Sequence, residues 1–177
     1  MSLDYARRFP TDFPRLGNRY KKKSDNTDRY NCIAWAMSEC HRPWWPGCVE
    51  PAGYWPPTLS EEETIENFID AFRQKGYELC VGAHHEWRFE KIAIYADRTG
   101  VPTHAARQSW SGIWFSKLGQ NVDISHRSLD ALAQGLYGTV VQTMKRPWTR
   151  ERLVTAVKLS LKTSTKTARF FRKPTTP

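Results

Sequence analysis

Between Thr58 and Glu78 the chain reads TLSEEETIENFIDAFRQKGYE, and directly after it the spacing of apolar residues changes from helical to alternating. Ile65, Phe68, Ile69 and Phe72 form one helical stripe, acids crowd its positive end, Ser60 and Glu63 have capping-box spacing, and Gly76 ends it. The runs YELCV, EKIAIYAD, THAARQSW, GIWFSKLG and YGTVVQTMK follow, separated by turn signals such as DRTG and WSG. Helices first and a meander afterwards predict an α+β fold, with N-terminal helices packed on an antiparallel sheet.

Upstream, RYNCIAWAMSECHRPWW over 29–45 predicts a helix from about Cys32 to Cys40, with Asn31 as N-cap and Ile33, Ala36 and Met37 on one face. Five prolines between His41 and Pro57 forbid regular structure there. Residues 1–28 read as an irregular arm, with Phe9, Phe13 and Leu16 packed on the body, because charge and turn formers in YKKKSDNTD oppose regular structure. Residues 29–148 read as the α+β domain, with a short helix from about Ser128, its cap, to Gln134. Residues 149–177 read as a basic extension, helical to about Leu161 and then disordered.

A chain of 177 residues can bury a core without staples, and four cysteines are too few for a disulfide scaffold, so free thiols are expected. No apolar run approaches a membrane span and MSLDYARRFPTDF is no signal peptide, so the expected compartment is the cytoplasm. Ten of the 27 Lys and Arg, but one of the 18 acids, lie from Lys145 onward, which accounts for the whole net charge of +9. Nucleic acid or another polyanion is therefore a partner for residues 149–177, with Phe170 and Phe171 available for stacking, while a solubilising tail or a membrane-surface helix is the alternative.

Cys32 stands where a helix start would point free N–H groups at its sulfur and later hold an oxyanion, through its own amide with Asn31 nearby. A base is still required. His104 opens the THAARQSW strand, sharing a face with Ala106 and Gln108, while Ala105 and Arg107 take the other. If WSG turns the chain, Lys117 and Leu118 return opposite His104, and Asp123, with Gln120 or His126 as alternatives, becomes the group that orients the imidazole. The plain alternatives are a buried structural cysteine and a hydrogen-bonded structural histidine. Trp44, Trp45, Tyr54 and Trp55 suit either a stacking platform or a lid folded over the core. Cys40, His41, Cys48, His84 and His85 lack zinc-type spacing, so no metal or cofactor is expected. Glu61, Glu62 and Glu63 read as a solvated helix start.

With YNCIAWA, RPWWP…YWP, ETIENFIDAFRQKGYE, FEKIAIYAD…GVPTHAARQ…GIWFSKLG, DISH…LDAL and YGTVVQTMKRP in place, the chain resembles a family of uncharacterised bacterial proteins over about Phe13 to Trp148. More weakly, the Cys32 helix and the strands from Lys91 to Gln108 resemble NlpC-type papain-like cysteine peptidases. That resemblance implies a papain-like thiol hydrolase or acyl transferase cleaving an amide, ester or isopeptide bond of a peptide or small molecule. Lys91 falls where that group has its catalytic His, and His104 at the third polar position. The roles expected are Cys32 as nucleophile, His104 as base, Asp123 as orienting group, Asn31 and Cys32 at the oxyanion, and Trp44, Trp45, Trp55, Arg107 and Gln108 against substrate. The alternative is a non-catalytic binding module using the Trp-rich loop and the Arg107/Gln108 strand.

Overall fold

The computed structural model describes residues 9–149 together with Glu151 and Val154. Of the described residues, those up to Arg146 belong to one compact unit and those from Pro147 to a second. In the second, Glu151 and Val154 are helical and exposed, and the rest of the basic extension lies outside the described residues.

The first unit is built on a seven-stranded antiparallel sheet: β1 (Tyr20–Lys22), β2 (Glu78–Cys80), β3 (Phe89–Ala96), β4 (Pro102–Gln108), β5 (Trp114–Lys117), β6 (Asp123–His126) and β7 (Thr139–Pro147), in the order β1-β6-β5-β4-β3-β7-β2. From β3 to β6 each strand pairs with the next, the meander the turn signals predict. Helices α1 (Cys32–Ala36) and α2 (Ile65–Arg73) precede it, and a 3-10 turn, Leu129–Leu132, leads toward β7.

Both faces of the sheet are covered, and the two cores divide by strand parity. Ile92, Ile94, Ala105 and Met144 pack against α1, against Phe68 and Phe72 of α2, and against Trp44 and Trp55. Ala93, Tyr95, Ala106 and Ile124 pack instead against Phe9, Phe13 and Leu16 of the arm and against Leu129 and Leu132. Truncating Phe68 or Phe72, both fully buried, would cost roughly 3–5 kcal/mol.

Several local expectations need correction. The arm is not irregular throughout: residues 9–12 are helical, and Tyr20–Lys22 is an edge strand on β6. Lysines on an edge discourage pairing with another chain without preventing pairing to the sheet. Helix α1 stops at Ala36 because Ser38 turns left-handed (φ 68) and Glu39 N–H returns to the Ala34 carbonyl at 2.9 Å. Helix α2 is capped by Thr64 rather than Ser60. The Ser60 carbonyl accepts from Trp55 and Asn67, and Glu63 accepts from the Trp45 indole, so residues 60–63 form a turn under the Trp-rich loop. Ser128 makes no side-chain cap.

Candidate functional site

The residues facing α1 follow from the sheet register. Ala106 pairs with Ser116 and Lys117 with Asp123, so one residue along β4 from that first pair Ala105 stands in a row with Lys117 and Asp123. Asn31 caps α1, its Oδ1 accepting from Ala34 N–H at 3.0 Å, and Cys32 opens the helix above Ala105. Backbone N–H groups of Ala105, Ile33 and Cys32 itself lie against the sulfur, and Lys117 is within electrostatic range. These favour the thiolate, but burial outweighs them and pushes the thiol up to about 11.

Lys117 is fully buried, donates to the Asn121 carbonyl, and has Nζ 5.3 Å from the centre of the Tyr30 ring. Burial lowers its pKa against the opposing charges of Asp123, Cys32 and Asp28. Asp123 is 4% exposed; its Oδ2 accepts from Tyr30 Oη at 2.8 Å, while Oδ1 is buried without a hydrogen-bond partner among the described residues. Burial raises the Asp123 carboxyl, with Tyr30, Lys117, Ser24 and Arg107 pulling it down. Burial, followed by the Asp123 charge, pushes the Tyr30 phenol above its ordinary range. Cys32, Lys117, Asp123 and Tyr30 are thus one connected group.

His104 does not belong to it. Its side chain points to the opposite face of β4, stacked on Tyr137 at 4.0 Å and edge-on to Tyr95 at 5.4 Å. The expected Cys32–His104 dyad is not formed, because adjacent strand residues face opposite ways and α1 sits over Ala105. His104 Nε2 bonds Ser116 Oγ at 3.0 Å, Ser116 Oγ bonds His126 Nε2 at 2.9 Å, and His126 Nδ1 bonds the Ser128 carbonyl at 2.8 Å. A carbonyl only accepts, so His126 carries its proton on Nδ1, Ser116 donates to His126, and His104 donates to Ser116. Both rings are then neutral, and His104 Nδ1 is left buried without a partner among the described residues. Burial depresses His126 to about 4 and also holds His104 well below its ordinary value, the neighbouring His126 adding to the latter.

Other expected site residues are also placed elsewhere. Asp123 orients no imidazole, Gln120 is exposed, and His126 lies on the His104 face. The Asn31 side chain is committed to Ala34 and to both backbone groups of Trp44, so it cannot serve an oxyanion. Trp44 and Trp55 are buried, and Trp45 packs edge-on to Phe68 at 5.1 Å, so the Trp-rich loop is a lid rather than a platform. Gln108 is buried on the His104 face, donating to the Ala83 and Gly112 carbonyls. Lys91, also on that face, is fully buried and pairs with Glu86 at 2.5 Å, a structural ion pair. Among the described residues no group of three or more His, Cys, Asp or Glu converges as a metal site.

Arg107 stays on the Cys32 face, its guanidinium 4.3 Å from the centre of the Trp35 ring and Nη1 donating to Ser38 Oγ at 2.8 Å. Beside it Glu90 is buried, accepting from Arg146 at 2.7 Å and from Tyr77 at 3.1 Å. Sequence reasoning missed Lys117 and Tyr30 as members of the site. The WSG turn carries the register signal, because it sets Lys117 opposite Ala105, the neighbour of His104.

No curated protein and no solved structure gives a match to this chain. A family model described as Domain of unknown function (DUF7689) matches residues 21–145, which include α1, the Trp-rich loop, α2 and every strand from β2 to β6. The chain belongs to the DUF7689 family.

Proposed function

We propose that the domain is a thiol-dependent hydrolase or acyl transferase acting on an amide, ester or isopeptide bond, with Cys32 as nucleophile and Lys117 as its proton partner. The observation that carries this reading is a sulfur set against three backbone N–H groups, with a buried lysine within electrostatic range of it. A cysteine-bearing helix over an antiparallel sheet agrees with a papain-like arrangement in which an amine takes the place of imidazole.

Burial disfavours both charges, raising the thiol and lowering the Lys117 amine from their ordinary values, so the proposed reacting form is a thiol beside a neutral amine. As the sulfur forms a bond to the substrate carbonyl carbon, the thiol proton passes to Lys117 Nζ. The carbonyl oxygen takes up the negative charge against the amide of Cys32. The ammonium then returns its proton to the leaving nitrogen or oxygen as that bond breaks, leaving a thioester on Cys32. Water, or an acceptor amine or alcohol, attacks the thioester, giving a proton to Lys117, and the thiol is released. Asp123, held by Tyr30, stabilises the transient ammonium.

Acetylation by p-nitrophenyl acetate, followed by peptide mass spectrometry, tests the reading. Acetyl-Cys32 should accumulate in the wild type, be absent in Cys32→Ser, and fall about tenfold or more in Lys117→Met. Acetylation confined to the other cysteines would overturn it.

A second reading, a non-catalytic binding domain, is favoured by Cys32 being only 6% exposed with its thiol held protonated. With the Trp-rich loop folded down, Arg107 and its surroundings would be the surface that remains for it. The same acetylation experiment separates the two.

A further inference from the structure

A second register row lies beside the Cys32 group on the same face of the sheet: Arg107, Phe115, Ser125 and Lys21 cross β4, β5, β6 and β1 in succession. Phe115 is half-buried, with Lys23 Nζ 5.9 Å from its ring centre. Arg29 acts electrostatically on Tyr30 and Cys40 from the adjoining loop. The cations on this side, apart from the buried Lys117, are Arg107, Arg146, Lys21, Lys23 and Arg29. The carboxylates are Glu90, engaged by Arg146 and at 3.8 Å by Arg107, Glu39, paired with Lys75, Asp123, engaged by Tyr30, and Asp28, which acts on Lys117. The surface surrounding Phe115 therefore carries excess positive charge.

Resting on the thiol reading above, we infer that this row is a subsite selecting substrates with a carboxylate or phosphate close to the scissile carbonyl. Arg107 is already immobilised by stacking on Trp35 and by its bond to Ser38, so receiving an anion costs little further side-chain entropy. Lys21 and Lys23 are exposed and steer the anion inward, while Phe115 supplies an apolar floor for the carbon skeleton. Asp123, one row further in, keeps the anion off the Cys32–Lys117 pair and leaves that position to the neutral carbonyl.

Iodoacetate and iodoacetamide test this, because a thiolate displaces iodide from both and they differ chiefly in charge. The ratio of the two rates, read residue by residue by peptide mass spectrometry, cancels the thiolate fraction. The iodoacetate-to-iodoacetamide ratio at Cys32 should exceed that at Cys48 and Cys80 by roughly tenfold at low salt. It should fall several-fold in Lys23→Gln, an exposed position whose change leaves the core intact, and further in Arg107→Gln. Raising ionic strength should erase most of the difference. A ratio at Cys32 equal to that at Cys80 overturns the subsite alone. Inertness of Cys32 to both reagents overturns the thiol reading, and the subsite with it.

Discussion

Cys32 and His104 lie on opposite faces of β4: the sulfur rests on the backbone of Ala105, and the imidazole stacks on Tyr137 beneath the N-terminal arm. One residue of strand parity separates a catalytic dyad from two unrelated environments. His104→Ala should therefore lower stability by roughly 2–4 kcal/mol, from lost packing and the lost hydrogen bond to Ser116, while leaving acetylation of Cys32 within about twofold of the wild type. Denaturant titration and the acetylation assay on one preparation check both halves.

The His104–Ser116–His126 chain also sets an acid limit. Both imidazoles have native pKa values below the unfolded value of about 6.5, His126 at about 4. Below pH 6.5 the unfolded chain binds protons that the native chain refuses, so the contribution is fully present above that value and is lost as pH falls. For His126 the loss amounts to about 3 kcal/mol by pH 4, and His104 adds to it. Asp123, whose native pKa is raised, works in the opposite direction near its own titration. Urea midpoints should drop between pH 7 and pH 5, and His126→Asn should flatten that slope by about one proton.

Glu90 joins Arg146, Tyr77 and, at 3.8 Å, Arg107 in a buried network closed by Ser38, which accepts from both arginines. Glu90→Ala should cost about 3–5 kcal/mol, because it strands a guanidinium that is itself 4% exposed. Loss of under about 1 kcal/mol in a denaturation experiment would mean that the guanidinium finds water instead.

Polyanion attraction by residues 149–177 is a proposal resting on their eight Lys and Arg against one acid. Deleting them should abolish binding to a mixed-sequence oligonucleotide at low salt, and the full chain should lose the same binding as salt rises.

Much of the architecture was legible in the residues. The α2 stripe, the WSG and DRTG turns and the Asn31 cap each specify local geometry strongly, and the β4–β5 register followed from the turn alone. The face of each strand was not legible. His104, Ala105 and Ala106 are all buried because helices cover one side of the sheet and the arm covers the other, so no polar alternation marks which side α1 takes. Strand β1 was hidden for a related reason: its three residues are Tyr and two Lys, a composition that reads as a solvated loop until β6 offers a partner. Lys117 followed the same pattern, since a lysine in WFSK reads as solvent-facing and only the fold over it makes it a buried amine.

The pH dependence of Cys32 alkylation by iodoacetamide, compared between wild type, Lys117→Met and His104→Asn, tests the central claim most directly. The wild type should show a midpoint of about 11, its rate at pH 8 should fall about tenfold in Lys117→Met as the group that takes up the thiol proton is lost, and the His104→Asn profile should overlay the wild type. A Lys117→Met profile indistinguishable from wild type, or a profile moved by His104→Asn alone, would contradict it.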